Sequence, residues 1–309
     1  MHIFMTGATG YIGGSVAAKL IAGGHRVRGL TRTPDGAAKL KAAGIEPVIG
    51  SLVDGGVLAQ AARAADAVIH TANSDDASSV EALLPALAGS GKRLIQTSGS
   101  SIIADRAAGE PSERVFHEDS VYEPLPERAG RLAIDRKVLA AAQDGVHSIV
   151  IRPTLIYGRG HGAHKDSVQV PKMIAVAKKH GTPRHVGRGL NIWSHVHIDD
   201  IVDLYLLALE RAPAGSLFYV ENGECAMRTI TEAIGRVQGN RPPEDWPVNE
   251  AFAELGAAAY TSYGSNSRVR AAKARAMLGW QPKGPPLIEE IERGCYRDEI
   301  RAAAPSAQR

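Results

Sequence analysis

Three glycines near the amino terminus have the spacing of a phosphate-binding turn. Gly7, Gly10 and Gly13 lie between an apolar stretch over residues 3–5 and a predicted helix over residues 11–22. A diphosphate can rest on the start of a helix only where the backbone approaches closely and leaves its N–H groups free, which glycine permits. In this strand–turn–helix context, the spacing predicts a dinucleotide site. The predicted site consists of Gly7, Thr9, Gly10, Tyr11, Ile12 and Gly13.

The end of the second predicted strand, over residues 25–31, indicates which dinucleotide is preferred. Proteins that bind NAD usually carry an acidic residue there, against the ribose 2′-hydroxyl. Thr31 and Arg32 occupy this place here. Because a guanidinium can pair with a 2′-phosphate through two hydrogen bonds, Arg32 favours NADP as the cofactor. The alternative interpretation is a solvated surface charge.

Alternating strands and helices position these residues. Beyond the second strand, we expect a helix over 37–43 and strands over 46–49, 66–70, 92–97 and 147–151. This alternation is typical of an α/β fold with a doubly wound parallel sheet, which binds ligands at the carboxyl ends of its strands. We predict a dinucleotide-binding domain over 1–153, with its sheet completed by later segments. A smaller, mainly substrate-binding part would cover 154–309 and share a helix around 198–210.

Charge and cysteine content limit the class of protein. The 309 residues include 36 Lys and Arg against 33 Asp and Glu, mixed along the chain, so we expect no nucleic-acid partner. Two isolated cysteines indicate neither a disulfide framework nor a four-ligand zinc site. No apolar run reaches the length of a membrane span and the first strand begins at residue 2, so we expect a cytoplasmic protein with no membrane contact.

Motifs along most of the chain resemble the extended branch of the short-chain dehydrogenase/reductase superfamily, which contains epimerases, dehydratases and reductases. They are Thr-Gly-x-x-Gly-x-x-Gly from residue 6, Arg-Pro…Tyr-Gly over 152–158, Val-His-Ile-Asp-Asp over 196–200 and Leu-Gly-Trp-x-Pro over 278–282. The resemblance implies a Rossmann sheet, a nicotinamide cofactor and a small-molecule substrate. A helix-paired homodimer is common in the family, and no feature of the sequence tests it.

The resemblance also assigns further residues to the cofactor. They are Ser51, Leu52, Thr71, Ala72, Asn73, Arg131 and Pro153. Ser51 replaces an Asp that lies beside the adenine in the family, and Leu52 would pack on the same group. The segment over 71–73 would run past the phosphates and ribose, and Pro153 belongs to the segment that borders the nicotinamide.

The family's catalytic Tyr-x-x-x-Lys pair is absent, because none of the eight tyrosines has a lysine four residues later. Glu127 and Arg131 occupy the two positions. An arginine can hold ribose hydroxyls but keeps its charge, so it cannot relay a proton. Glu127 would be an acid only if burial raised its pKa, and we expect an exposed carboxylate at the helix start instead. The family's catalytic serine aligns with Gly99, so Ser98 or Ser100 would have to replace it.

Other side chains could supply the missing proton. Tyr122 is the first candidate because it lies between the fifth strand and Arg131, and Tyr157 is the second. A single histidine, His164 or His195, is a third option near neutral pH. Histidines at 161, 164, 195 and 197 could also suggest a metal site. Only Asp166 accompanies them at ligand spacing, so we expect no metal.

These observations predict an NADP-dependent oxidoreductase that acts on a small organic carbonyl, imine or activated alkene, with Tyr122, Ser100 and His164 as candidate catalytic residues. Two alternatives stay open. A nucleotide-sugar epimerase or dehydratase could use Arg268 and Arg270 against an anionic group of its substrate. A non-catalytic NADP(H)-sensing regulatory protein would have no accessible cleft beside the nicotinamide.

Overall fold

The computed structural model describes residues 1–302, within which it contains twelve β-strands and twelve α-helices. The strands are β1 His2–Thr6, β2 Arg26–Thr31, β3 Glu46–Ile49, β4 Ala67–His70, β5 Arg93–Thr97, β6 His147–Pro153, β7 Leu155–Tyr157, β8 Arg184–Val186, β9 Ile192–His197, β10 Ser216–Val220, β11 Glu224–Ala226 and β12 Glu244–Trp246.

The helices alternate with the strands in the first half and become more frequent in the second. They are α1 Tyr11–Ala22, α2 Pro34–Ala42, α3 Gly55–Ala64, α4 Ala77–Leu87, α5 Pro126–Ala140, α6 Gln169–His180, α7 Ile198–Arg211, α8 Met227–Val237, α9 Val248–Leu255, α10 Ala272–Leu278, α11 Leu287–Glu292 and α12 Arg297–Ala302. None of the helices within residues 1–302 has the length and apolar character needed to cross a bilayer.

Seven strands form the central sheet in the order β10–β6–β5–β4–β1–β2–β3, and every neighbouring pair is parallel. The chain builds β1 to β3 outward, then crosses back to place β4 on the other side of β1. Ligands of such sheets bind outside the strand ends at this reversal of direction. The doubly wound parallel sheet predicted from the sequence is therefore confirmed, and β10 from the second half completes its edge.

Apolar strands and capped helices explain why these elements form here. Ile3, Phe4 and Met5 of β1 are fully buried, as expected for a parallel sheet covered by helices on both faces. Helix α2 begins three residues before the predicted start at residue 37. The reason is local, because the hydroxyl of Thr33 accepts the N–H of Gly36 at 3.1 Å and a proline occupies the first helical position.

The second half of the chain forms a smaller part with its own apolar core. A three-stranded sheet, β11–β9–β7, and a parallel pair, β12–β8, pack with α6, α8 and α9 around buried aromatic residues that include Tyr157, Trp193 and Trp246. Strand β7 follows β6 after a single residue, Thr154. The chain therefore passes directly from the carboxyl edge of the central sheet into this part.

Candidate functional site

The glycine-rich turn is built so tightly that side chains are excluded from it. Gly7 has a φ of +72°, which favours glycine. A Cβ on Gly13 would lie 2.3 Å from both the carbonyl oxygen of Gly7 and the hydroxyl of Thr71. The turn closes through a hydrogen bond of 2.9 Å from the N–H of Gly10 to the oxygen of Gly7. These contacts place the start of α1 against the ends of β1 and β4, in the arrangement that cradles a diphosphate.

Buried polar side chains hold the ends of β1 and β4 together beside this turn. The hydroxyl of Thr71 donates to the carbonyl of Thr6 at 2.8 Å. The two ring nitrogens of His70 bond to the hydroxyls of Thr6 and Ser79, the latter at 3.0 Å. Burial lowers the pKa of His70 to about 4, so the ring is neutral at physiological pH.

A wide cleft of about 810 Å³ lies on one side of the turn. Its lining includes the predicted cofactor residues Gly7, Thr9, Arg32, Ser51, Leu52, Ala72 and Asn73, together with His164. Arg32 is exposed at the end of β2 and pairs with no carboxylate in residues 1–302. Asp35 borders the same cleft but pairs with Lys39 at 2.7 Å. The cleft therefore contains a guanidinium that has no carboxylate partner within residues 1–302.

A smaller cleft of about 310 Å³ lies on the other side of the turn. Its lining includes Gly10, Tyr11, Ile12, Gly13, Thr71, Thr154, Ile156, His164 and Val168. Pro153 is buried at the end of β6, and its neighbour Thr154 reaches this cleft in its place. Two clefts on either side of a phosphate-binding turn fit the two halves of a nicotinamide dinucleotide.

Arg131 lines neither cleft and is fixed by three hydrogen bonds. Its Nε and Nη2 donate to the carboxylate of Asp75 at 2.8 and 2.6 Å, and its Nη1 donates to the hydroxyl of Ser101 at 2.9 Å. A Cβ on Gly99 would lie only 3.2 Å from that Nη1. A side chain at residue 99, the position of the family's catalytic serine, would therefore require this guanidinium to shift slightly.

Glu127, at the position of the family's tyrosine, is an exposed carboxylate. Both of its carboxylate oxygens accept hydrogen bonds of 3.0 Å from Nη2 of Arg106. A backbone hydrogen bond at the helix start, together with Arg106, holds the pKa of Glu127 below its usual range. Glu127 is therefore ionised at neutral pH and is not a proton donor.

Both candidate serines are directed into the protein. Ser100 is 1% exposed and its hydroxyl accepts a hydrogen bond of 2.9 Å from Ser267. Ser98 donates to the buried carboxylate of Asp135 at 2.8 Å. Because Ser100 opens a short 3₁₀ turn over Ser100–Ile103, its side chain meets the second half of the chain rather than either cleft.

Tyr122 lies at the end of a buried polar network. Its phenol oxygen accepts a hydrogen bond of 2.8 Å from Arg152, whose Nε donates to Asp135 at 2.8 Å. The ring is half-buried and packs edge-on against Phe116. Tyr122 is not part of the lining of either cleft, so the structure brings His164, but neither Tyr122 nor Ser100, to the clefts.

The remaining candidates have structural partners. The hydroxyl of Tyr157 donates to the carbonyl of Pro285 at 2.8 Å, and burial raises the pKa of this phenol. Burial lowers the pKa of His195 to about 4. Arg268 and Arg270 both pair with one carboxylate, that of Glu224. Across the described residues, no three histidine, cysteine, aspartate or glutamate side chains come together in a way that could hold a metal ion.

Two features of the site were not predicted from the sequence. The first is Asp75, which anchors Arg131; the run of two aspartates at 75–76, just after the predicted cofactor segment, was the available signal. The second is the loop over 158–168, which folds back onto the glycine-rich turn. Its own glycine-rich and basic sequence, Gly-Arg-Gly-His-Gly at 158–162, could have suggested a role at phosphates.

Comparison with known proteins agrees with this architecture. The profile of the NAD dependent epimerase/dehydratase family matches residues 3–220, and the chain belongs to this family. Its fold and motifs are those of the extended short-chain dehydrogenase/reductases.

Individual relatives cover most of the chain. Uncharacterized protein C2A9.02 of Schizosaccharomyces pombe is 31% identical over 96% of this chain and 100% of its own length. The 4-hydroxy-2-methyl-3-oxo-4-farnesyl-3,4-dihydroquinoline-1-oxide ketoreductase of Stigmatella aurantiaca is 29% identical over 77% of this chain and 74% of that protein. A crystal structure of dTDP-glucose 4,6-dehydratase from Bacillus anthracis in complex with NAD superimposes with a TM-score of 0.76, at 16% identity and 98% coverage of both chains. At that identity, the similarity supports the fold alone.

Proposed function

We propose that the protein is an NADP-dependent oxidoreductase that reduces a small organic carbonyl compound, an imine or an activated alkene. The observation that carries the proposal is Arg32, whose guanidinium borders the wide cleft at the end of β2 with no carboxylate partner in residues 1–302. An arginine at this place suits a 2′-phosphate, whereas an acidic residue would repel it.

Different residues around the turn bind different parts of the cofactor. The backbone of Gly7 to Gly13 receives the diphosphate at the start of α1, and Arg32 pairs with the 2′-phosphate. Arg131 holds ribose hydroxyls, with its guanidinium already oriented by Asp75. NADPH, when bound, supplies a hydride for the reduction.

Neither Tyr122 nor Tyr157 lines either cleft, so we propose that water donates the accompanying proton. The oxygen of Tyr122 accepts a hydrogen bond of 2.8 Å from the buried Arg152. Tyr157 lacks such a cation, and its hydroxyl is committed to a backbone carbonyl. Burial also raises the pKa of Tyr157, which makes it a weaker acid. We therefore expect Tyr122→Phe to leave both the rate of reduction and the Kd of NADPH within about twofold of wild type.

The names of several relatives support a carbonyl substrate. Besides the ketoreductase of Stigmatella aurantiaca, a 2-alkyl-3-oxoalkanoate reductase of Stenotrophomonas maltophilia is 26% identical over 72% of this chain. Both names describe reductases of oxo groups. We take the oxo group as the reacting group, while the rest of the substrate stays open.

The nucleotide-sugar alternative fits the geometry less well. A nucleotide-sugar epimerase or dehydratase would need Arg268 and Arg270 for its anionic substrate, but both guanidinium groups already pair with the carboxylate of Glu224. This pairing favours a reductase over an epimerase. The smaller cleft is assigned to the nicotinamide half of the cofactor, so turnover rather than cleft volume distinguishes a reductase from a sensor.

The test compares the affinity of the protein for NADPH and NADH by fluorescence titration. For Arg32→Ala we expect the Kd of NADPH to rise at least about tenfold and that of NADH to stay within about twofold, because one charge-assisted contact is lost. Arg28→Ala is the matched control, since Arg28 lies on the same strand but pairs with Glu46. A wild-type preference for NADH would overturn the assignment of NADP.

Turnover is measured next, by following NADPH consumption with panels of ketones, imines and enones. Reduction of any class supports the reductase, and a rate that Tyr122→Phe leaves unchanged supports proton donation by water. Tight NADPH binding without turnover of any panel would instead support the sensor.

A further inference from the structure

The loop over residues 158–168, which connects β7 to α6, is anchored on the first turn of α1. The hydroxyl of Tyr11 donates to the carbonyl of Gly158 at 2.8 Å. Three residues later, the N–H of His161 donates to the hydroxyl of Ser15 at 2.9 Å. Both α1 side chains follow the phosphate-binding turn directly. The loop is therefore held beside the part of the site that faces the diphosphate.

Backbone contact brings the loop closer to α1 than side chains would permit. A Cβ on Gly162 would lie 2.5 Å from the Cα of Gly14, and a Cβ on Gly14 would lie 2.9 Å from the Cα of Gly162. A Cβ on Gly160 would lie 2.7 Å from the ring of Tyr11. Glycines at these three positions allow the loop to rest on the helix, as a second wall opposite the glycine-rich turn.

His164 occupies a particular place in this loop. Among residues 1–302, it is the one residue that lines both the wide cleft and the smaller cleft. A dinucleotide with its 2′-phosphate at Arg32 and its nicotinamide in the smaller cleft must cross between the clefts. The diphosphate is the part of the molecule that makes this crossing, so it must pass His164.

The charges around the loop leave His164 available for an anion. Arg159 pairs with Asp166, and His161 pairs with Asp199, so the two nearby carboxylates already have cationic or hydrogen-bonding partners. The ring of His164 is exposed and has no hydrogen-bond partner within the described part of the chain. An imidazole donates a hydrogen bond to a phosphate oxygen in either protonation state.

We infer that His164 binds the diphosphate of the cofactor and that the loop over 158–168 holds it against the glycine-rich turn. This inference rests on the proposed dinucleotide site. It assigns His164 to cofactor binding instead of the proton transfer for which the sequence had suggested it. Because NADPH and NADH share the diphosphate, His164 acts equally on both, whereas Arg32 distinguishes them.

Two fragments of the cofactor separate these roles in a calorimetric binding experiment. ADP-ribose contains the diphosphate without the nicotinamide or the 2′-phosphate, and adenosine 2′-monophosphate contains the 2′-phosphate without the diphosphate. For His164→Ala we expect the Kd of ADP-ribose to rise about tenfold and that of adenosine 2′-monophosphate to change less than about twofold. Arg32→Ala should give the opposite pattern.

His161→Ala is the matched control, since it removes the same kind of side chain from the same loop but keeps the backbone anchor to Ser15. It should leave the affinity for ADP-ribose within about twofold of wild type, because its ring pairs with Asp199. Unchanged affinity for ADP-ribose in a folded His164→Ala variant would overturn the inference. A wild-type preference for NADH would overturn the NADP assignment alone, because the effect of His164→Ala on ADP-ribose would persist.

Discussion

The guanidinium of Arg131 and the carboxylate of Asp75 form a two-pronged pair between α5 and the loop after β4. Side-chain exposure is 11% for Arg131 and 49% for Asp75, so the partly solvated carboxylate orients a nearly buried arginine. These hydrogen bonds lower the pKa of Asp75, which keeps it ionised and paired at neutral pH. Asp75 follows the segment over 71–73 closely, so the pair links two parts of the proposed cofactor site.

Asp75→Asn should weaken NADPH binding by a small factor. The pair is partly solvated, so its coupling is worth under about 1 kcal/mol, which corresponds to a rise in Kd of at most about fivefold. A double-mutant cycle with Arg131→Ala, measured by calorimetry, isolates this coupling. Glu81→Gln is the control, because Glu81 and Lys137 form an exposed pair between α4 and α5. Equal affinity in Asp75→Asn and wild type would mean that Ser101 alone suffices to orient Arg131.

Asp135→Asn should destabilise the whole fold. Asp135 and Arg152 are almost completely buried, and their pair at 2.8 Å also receives the hydroxyl of Ser98. Removing one charge leaves the other buried without compensation, which costs about 3–5 kcal/mol of unfolding free energy. Urea unfolding at neutral pH measures the loss. Arg106→Ala breaks an exposed pair and should cost less than about 1 kcal/mol.

A double variant, Asp135→Asn with Arg152→Met, checks the cause of that loss. If the unpaired guanidinium is responsible, the double variant recovers part of the stability lost in Asp135→Asn. Further destabilisation by Arg152→Met would show that Arg152 matters through Tyr122 and Tyr219, to which it also donates hydrogen bonds.

The central sheet could be predicted because its signals are local. Apolar runs in β1 and β4, the glycine spacing and the alternation with helices all operate within short windows of sequence. The sequence also located the strand-end segments that line the wide cleft, since their positions follow from the strand order. Helix α2 starts earlier than predicted because the hydroxyl of Thr33 caps it.

The parts that were not predictable depend on contacts between distant residues. Ser100 is directed into the protein by Ser267, which lies 167 residues away in the chain. The loop over 158–168 reaches the cofactor turn through Gly14 and Gly162, whose contact has no local signature. The absence of the Tyr-x-x-x-Lys motif can be detected from the sequence. The direction in which a side chain such as Ser100 points is set by tertiary packing.

Gly162→Ala should lift the loop away from α1. The added Cβ would lie 2.5 Å from the Cα of Gly14, and neither backbone can yield without moving the loop. We expect the Kd values of NADPH and NADH to rise by similar factors of about five or more, because their common diphosphate loses one wall. Faster hydrogen exchange over 158–168 should accompany the change. Gly56→Ala adds the same methyl on α3 at an ordinary contact distance of 3.8 Å from Oδ1 of Asp54, and should alter neither property.

The stability of the protein should fall as the pH is lowered through the titration of His70. Burial holds the pKa of His70 at about 4 in the folded chain, against 6.5 for an unperturbed histidine. Between these values the unfolded chain binds more protons, so the free energy of unfolding decreases with decreasing pH. Well above pH 6.5, His70 causes no loss of unfolding free energy. Near pH 4.5, the loss reaches about 2–3 kcal/mol.

Urea unfolding of wild type and His70→Gln between pH 7 and pH 4.5 isolates the contribution of His70 to the pH dependence of the unfolding free energy. His195 also has a lowered pKa, but it contributes equally in the two proteins. The glutamine cannot gain a proton, so the variant should be less stable than wild type near pH 7 but should lose less stability on acidification. His117→Gln, which changes an exposed histidine, should follow the wild-type slope. Parallel curves for wild type and His70→Gln would show that His70 takes up its proton without unfolding, and that the link between Thr6 and Ser79 tolerates a charged ring.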